Sequence, residues 1–569
     1  MLSSKKCDLA VNALRILAVS IGALQGYAHR FTVYDDDAIS YLDIAQAYLR
    51  GDWVNALNGY WSPLYSWLLA ATLAIFRPVP NWEFALLKVV NFATFLFLII
   101  GFEYFLKTIV NLHETRWRSG AFANSYTPSS STIKLTLYAA FISFNLSLGG
   151  VYQDTPDLIL SAFMLFASAF LIKISTGEDK PVNLAMMSTL LAMAYFSKAV
   201  ALPISLSYFL VAAISAPSLK VAIKRAAFSL GVFFLIAGPY IAVLSYHLGH
   251  LTFSETGKIA YCEAVSRSVP FLHPLLGKEL APGCHHLIHP SRVIFDEPRV
   301  FEFAEPVKGS FPIWYDPSYW YAGCEVKFTP LSQFVSMFAS AYIYVKLFFG
   351  PLILAWLTMI AWSRQKGLSF RLLWQNKIVM IPATVALLLY LVGVNLNQVY
   401  PYAFRYLPAF FLQMLAGLLL SLRLKDTPRS KHAVIAALLV ANILFFVPLG
   451  EQIISDWHLL LSNPVNVHWQ VARDLEKLGI KHGDRVADLD PLRQYYWAYL
   501  AKVKIVAEIL DADSFFKNYP DRAQSVFAVL KKYGVKAVVM VPGKPLPIAA
   551  RNSGWQRIGE CDCYVYLIK

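Results

Sequence analysis

The sequence places three carboxylates side by side in Tyr34-Asp35-Asp36-Asp37-Ala38-Ile39-Ser40-Tyr41. Like charges this close repel, so such a run calls for a cation, a basic partner or a shared proton. A second acidic pair, Asp154 and Asp157, occurs in Gln153-Asp154-Thr155-Pro156-Asp157. A carboxylate within hydrogen-bond reach of a hydroxyl can take its proton as the oxygen attacks, which is general-base chemistry. The plainer reading of both is helix capping, which negative charge at a helix start also favours. One aspartate satisfies a cap; three in a row exceed that need. For Asp157, which precedes an apolar run from Leu158 to Phe170, capping and function are equally well supported.

Two cations stand at the edges of apolar segments: Lys198 in Tyr195-Phe196-Ser197-Lys198-Ala199, and Arg405 between Pro401 and Pro408. A charge in a hydrocarbon segment costs about 3 kcal/mol at mid-bilayer and less near the surface, so each calls for a partner. A phosphate suits both, since arginine offers its oxygens a fork and lysine a point charge. Snorkelling toward lipid headgroups is the alternative.

These residues need elements to hold them. Of 569 residues, 57% are hydrophobic and 15% charged, with a positive mean hydropathy. The apolar residues come in blocks of helix-spanning length, enough to cross about 30 Å of hydrocarbon. That excludes a soluble Rossmann or barrel enzyme and a disordered scaffold. Block length also excludes a transmembrane β-barrel, whose strands alternate over about ten residues. The expected fold is membrane α-helical, with about 11–13 transmembrane helices. The blocks run over 9–28, 83–107, 134–151, 157–173, 183–197, 199–216, 226–247, 332–362, 378–395, 403–421 and 432–449, with a shorter stretch at 63–78.

With the N-terminus inside, the short inner segments hold 19 basic residues against five in the short outer ones. This is the bias of the positive-inside rule. The net charge of +14 is therefore mostly a topology signal and does not point to nucleic acid as a partner. The first apolar block follows Lys5 and Lys6 and lacks a small-residue cleavage site, so it is expected to stay as a helix. The chain reads as a multi-pass protein of the cytoplasmic (inner) membrane, among membrane lipids, with its C-terminal part outside.

Three outer segments follow: a loop at 29–82, a large loop at 248–331 and a tail from about 450 to 569. Residues 1–450 read as the membrane module and 451–569 as an extracytoplasmic α/β domain. Strands are expected at 485–489, 504–508, 536–541 and 564–568, and helices at 492–501 and 513–533. In the first loop, Tyr41, Ile44, Ala45 and Tyr48 recur at helical spacing up to Gly51, as in an amphipathic helix lying on the membrane. The large loop carries Cys262, Cys284 and Cys324, and an oxidising outer compartment would allow one bridge among them. Cys284, His285, His286 and His289 cluster but match no zinc spacing with a second ligand pair, and read as a solvated loop. Trp314, Tyr315, Tyr319, Trp320 and Tyr321 suit stacking on a sugar or anchoring at the headgroups.

The acidic run after the first membrane helix, Tyr41, the helix closing on Gly51-Asp52-Trp53 and the segment from Tyr60 to Trp67 around Pro63 resemble the integral-membrane glycosyltransferases of the GT-C fold. The likeness is nearest to the family 39 group, which includes protein O-mannosyltransferases and lipid A aminoarabinose transferases. Thr155-Pro156-Asp157 is similar to that family's second acidic motif and Ser197-Lys198-Ala199 to its Thr-Lys-Gly element. The resemblance covers roughly residues 1–240 by motif and the rest by layout.

It implies transfer of a sugar from a polyprenyl-phosphate carrier to an acceptor hydroxyl of a lipid, glycan or protein on the outer face. The base would be Asp36 or Asp37, depending on whether Gly51-Asp52-Trp53 or Tyr41 sets the register. Tyr41, Asp157, Lys198 and Arg405 would bind substrate. Positive charge at the leaving phosphate would come from Arg405, Lys198 or a divalent metal held by Asp36, Asp154 and Asp157. Direct displacement would invert the anomeric centre. Ser62-Pro63 stands where the aminoarabinose transferases have Lys-Pro, which argues for another sugar or acceptor. The active site is expected in a cavity built from the first loop, the second acidic loop and the large loop. The rival is a transporter or flippase of lipid-linked glycan, against which stand the missing internal repeat and the clustering of the charges at one surface.

Overall fold

The computed structural model describes residues 4–33, 37–120, 125–266, 292–303, 305–316, 326–397, 402–490, 495–517, 519–541, 545–551 and 553–569. The chain divides into two compact units: residues 1–29, 88–260 and 329–462 form one, and 30–87, 261–328 and 463–569 the other.

The first unit is helical, and every one of the expected apolar blocks is a helix. Lys5–Ala28, Pro80–Arg118, Asp157–Ser175, Leu219–Leu248, Pro330–Ser363 and Pro428–Leu461 are long and apolar enough to cross a membrane. Shorter apolar helices follow at Pro181–Ser197, Ala201–Ile214, Lys377–Gly393 and Pro408–Ser421. The protein is a multi-pass integral membrane protein. Local chemistry sets the helix starts. Ser129, Ser218 and Thr427 each accept a backbone N–H of the first turn. Proline, whose missing N–H costs nothing there, opens Pro181–Ser197, Pro330–Tyr344, Pro408–Ser421 and Pro428–Leu461.

One π turn at Val345–Phe349 joins Pro330–Tyr344 to Gly350–Ser363. A Cβ on Gly350 would lie 2.6 Å from the Val345 carbonyl oxygen, so only glycine fits this wider turn.

The apolar stretch of Asp157–Ser175 is 78% buried, against 22% for Lys5–Ala28, so the helix that begins at Asp157 lies inside the unit and the first helix at its surface. Packing around the interior is aromatic. Phe144 meets Phe348, Phe411 and Phe445, and Phe348 stacks on Phe411 at 4.4 Å.

The second unit is built on a seven-stranded sheet. Its strands are β1 (Arg292–Phe295), β2 (Val300–Glu302), β3 (Arg485–Leu489), β4 (Lys504–Ile509), β5 (Val535–Met540), β6 (Trp555–Ile558) and β7 (Cys563–Leu567), in the order β1-β2-β4-β3-β5-β7-β6. The parallel core β4-β3-β5 pairs Val486 with Ile505 and Ala487 with Val538. The four strands expected from the tail are present. Of the other three, β6 also lies in the tail, while β1 and β2 come from the large loop, pair antiparallel with one another, and join the rest through β2, which pairs antiparallel with β4. The sheet therefore draws on both outer segments. The helix expected over 513–533 is divided into Ala512–Phe516 and Asp521–Lys532, with Pro520 just ahead of the second. Phe515, Phe527 and Trp555 fill the core against it, and Phe527 stacks on Tyr566 at 3.9 Å. Each such ring removed from water contributes roughly 1.5–3 kcal/mol. A disulfide joins Cys561 to Cys563.

Candidate functional site

The second acidic loop is held from several sides within the first unit. Gln25, in the first helix, donates to the Leu146 carbonyl at 2.7 Å and accepts the Val151 N–H at 3.1 Å. Lys88 donates to the Tyr152 carbonyl at 2.9 Å and to both Asp154 oxygens at 2.6 and 2.7 Å. Asn91, one turn on, reaches the Val151 and Gln153 carbonyls and Asp154 Oδ1. Asp154 and Lys88 are 0% and 2% exposed. A buried pair this well bonded is costly to break at either end. Its effect is to hold the loop, and with it the start of the Asp157–Ser175 helix.

Asp157 is the first residue of that helix, so the capping reading describes its position. It is also the centre of a charge cluster. Lys198 Nζ lies 2.6 Å from Oδ1, Arg405 Nε 3.0 Å from Oδ2, and the Thr155 hydroxyl donates to Oδ2 at 2.7 Å. Two cations thus meet one carboxylate, an excess of one positive charge among the three. Lys198 comes from the end of the Pro181–Ser197 helix and Arg405 from the short 3₁₀ turn Tyr402–Tyr406. Tyr406 organises both, with Lys198 Nζ 3.8 Å and the Arg405 guanidinium carbon 5.3 Å from its ring centroid. Tyr390 stacks behind it at 5.4 Å, and its buried hydroxyl meets no hydrogen-bond partner among the described residues. Asp157 and Arg405 are 3% and 4% exposed, whereas the Lys198 side chain is 19% exposed and marks the accessible side of the cluster.

Two members of the metal set expected of Asp36, Asp154 and Asp157 are taken up by cations of the chain. Asp154 is committed to Lys88, Asp157 to Lys198 and Arg405, and Asp36 lies outside the described residues. Among the described residues no three His, Cys, Asp or Glu side chains form a metal-binding group.

In the second unit, Asp37 begins the helix Asp37–Leu49, which closes on Gly51 in the left-handed region. This helix does not lie on a membrane with one face open. Ala38 to Leu42, Ile44, Ala45 and Ala47 are all buried. Tyr41 is locked between Trp61 at 5.1 Å and Tyr65 at 5.2 Å, and its carbonyl accepts the Ser66 hydroxyl. Asp43, absent from the sequence reading, accepts the Ser310 N–H at 2.7 Å and the Ser310 hydroxyl at 2.9 Å. Burial pushes its carboxyl up to about 6, against the opposing pull of those two bonds. The neighbouring Gly309 has φ +68°, and a Cβ there would sit 2.9 Å from Asp43 Oδ2.

The large loop also supplies Trp314 and Tyr315, whose carbonyls accept Trp61 Nε1 and Asn58 Nδ2. Tyr315 is buried and packs inside the unit. Tyr34, Asp35, Tyr319, Trp320, Tyr321, Cys284, His285, His286, His289 and Cys324 lie outside the described residues.

Sequence reasoning missed Lys88, Asn91, Gln25, Tyr390 and Tyr406. Lys88 did leave a signal, since a lysine set within the apolar block 83–107 demands a partner.

The sequence matches no family profile and no curated protein. Two solved structures are similar across nearly the whole length. ArnT from Cupriavidus metallidurans bound to undecaprenyl phosphate aligns over 98% of both chains at 13% identity with a TM-score of 0.54. The apo form of the same protein aligns over 98% of both chains at 13% identity with a TM-score of 0.51. The Archaeoglobus fulgidus oligosaccharyltransferase in the apo form aligns over 93% of this chain and 69% of that one at 12% identity, with a TM-score of 0.42. The chain has the GT-C fold of polytopic membrane glycosyltransferases.

Proposed function

We propose that this protein is an inverting glycosyltransferase that moves a sugar from a polyprenyl-phosphate carrier to an acceptor hydroxyl on the outer face of the inner membrane. The observation that carries the reading is the Asp157-Lys198-Arg405 cluster. It is a buried carboxylate holding two cations, with the lysine head accessible, in a fold shared with a protein solved with undecaprenyl phosphate bound.

In this reading Lys198 and Arg405 bind the carrier phosphate. Their charge stabilises the phosphate as it leaves, and Asp157 holds both in place before substrate arrives. Asp36 or Asp37 takes the acceptor proton. The acceptor oxygen bonds to the anomeric carbon, the bond from that carbon to the phosphate oxygen breaks, and polyprenyl phosphate departs with inversion. The chain itself supplies the cationic charge that the leaving phosphate requires. Ser62-Pro63 favours a sugar or acceptor other than that of the aminoarabinose transferases.

The test uses purified protein in detergent micelles with a polyprenyl-phosphate-sugar fraction and membrane acceptors from cells lacking the chain. Transfer by the wild type and a ~10²–10⁴-fold loss in Asp36→Asn or Asp37→Asn supports the reading. Vectorial movement of lipid-linked glycan in liposomes without any transfer would replace it with transport.

A further inference from the structure

The second unit contains a cleft of about 300 Å³ that the transfer reading does not use. That is the lower end of the range for small-molecule sites. One wall is a helix face: Asn466, Trp469, Gln470 and Arg473 line the cleft and fall at i, i+3, i+4 and i+7. The opposite face of the same helix, with Val471, Ala472 and Leu475, is buried. Phe31 and Asn81 close the other side.

The cleft is held rigid. Asn466 is 3% exposed, donates to the Asn81 carbonyl at 3.1 Å and accepts the Trp469 N–H at 2.9 Å. Gln470 accepts the Glu560 N–H at 3.0 Å through Oε1, which fixes its amide and leaves Nε2 as a donor. Phe31 packs edge-on against Trp82 at 5.0 Å. Arg473 touches Asp474 through Nε at 3.4 Å, a long contact that leaves the two-pronged end of the guanidinium for another acceptor.

An indole beside a phenyl ring offers apolar faces to the C–H side of a sugar. Fixed amides match vicinal hydroxyls, and an arginine fork matches a carboxylate or phosphate. A purely apolar ligand would leave the Gln470 Nε2 donor and the Arg473 fork unused, and a bare anion would leave the rings unused. We propose that this cleft is a saccharide site, in which a sugar ring stacks on Trp469 while an acidic substituent pairs with Arg473. The site is separate from the transfer reaction and holds whether or not the chain transfers sugar.

Saturation-transfer NMR on the full-length protein in nanodiscs tests this with glucose 1-phosphate, glucose, glycerol 1-phosphate and inorganic phosphate as probes. Glucose 1-phosphate is expected to receive saturation at its ring protons. That signal should persist in Arg405→Gln, which separates it from the carrier-phosphate cluster. It should be lost in Trp469→Ala and kept in Trp469→Phe, which preserves an aromatic face. Arg473→Gln should weaken glucose 1-phosphate about tenfold and leave glucose unchanged. Adding glucuronosyl diacylglycerol to the disc identifies the source, since displacement of the probe marks a membrane glycolipid and persistence a soluble glycan. The proposal is overturned if Trp469→Ala and Arg473→Gln bind the probe like wild type, if no probe binds, or if inorganic phosphate or glycerol 1-phosphate displaces the sugar phosphate as well as the sugar phosphate displaces itself.

Discussion

Replacing Arg405 with glutamine probes the charge cluster with little change in volume. Asp157 keeps Lys198 at 2.6 Å and Thr155 at 2.7 Å, so the carboxylate is not left without donors. What disappears is the positive excess, because one cation then faces one carboxylate. A charge-assisted hydrogen bond contributes about 1.5–3 kcal/mol, and each 1.4 kcal/mol is about tenfold in affinity. On the proposed reading, binding of the polyprenyl-phosphate carrier should therefore weaken by roughly 10- to 150-fold. If the arginine also stabilises the leaving phosphate, turnover at saturating donor should fall by about 10²–10³. The assay is a fluorescent polyprenyl-phosphate titration beside single-turnover transfer, with thermal unfolding as the control for folding. A folded Arg405→Gln protein with wild-type carrier affinity and turnover would refute the assignment of this cluster to the carrier phosphate. Loss of both in an unfolded protein is distinguished by Arg405→Lys, which restores the charge without the fork and should recover part of the affinity.

Two further outcomes follow from the buried charges. Lys88→Met leaves the Asp154 carboxylate, at 0% exposure, without the lysine that meets both its oxygens, so it should lower the unfolding temperature sharply, by the equivalent of about 3–5 kcal/mol. The double change Lys88→Met with Asp154→Leu should recover most of that loss, and a double variant no better than the single one would contradict a paired structural role. Asp43 gives a pH signature, since its folded carboxyl is raised from 3.8 to about 6 and the native state binds the proton more tightly than the unfolded chain. Stability should therefore fall as pH rises from about 4 to about 6 and level off above, by roughly 2–3 kcal/mol in all. Thermal unfolding across that range should show the slope in wild type and lose it in Asp43→Asn; an equal slope in both would refute the assignment.

Much of the membrane fold was legible because hydrocarbon imposes a length on every crossing helix, and each expected block is a helix. The strands of the tail were legible for a similar reason, since short apolar runs such as Ile505-Val506-Ala507, bounded by Lys504 and Glu508, are of strand length. The strands at 292–295 and 300–302 were not. They are short, lie in a cysteine- and proline-rich loop, and become strands only by pairing with one another and, through 300–302, with a β4 some two hundred residues away. The helix Asp37–Leu49 read as amphipathic because tyrosines can face water as well as a core, and partners at Trp61 and Tyr65 bury the face that lipid was expected to cover.

At the site, residue types were readable and their pairing was not. Asp154 and Asp157 are three residues apart and read as one acidic pair. Lys88 neutralises the first, while Lys198 and Arg405 converge on the second. Nothing in local spacing separates a structural carboxylate from one that assembles a cationic cluster.

The most direct test is mass analysis of envelope lipids and glycans from cells with the chain, without it, and with the Asp36→Asn, Asp37→Asn double variant. Loss of one sugar-decorated species, with accumulation of its polyprenyl-phosphate-sugar precursor, in both the deletion and the variant is the result predicted. Identical lipid and glycan profiles in all three strains would contradict the glycosyltransferase account.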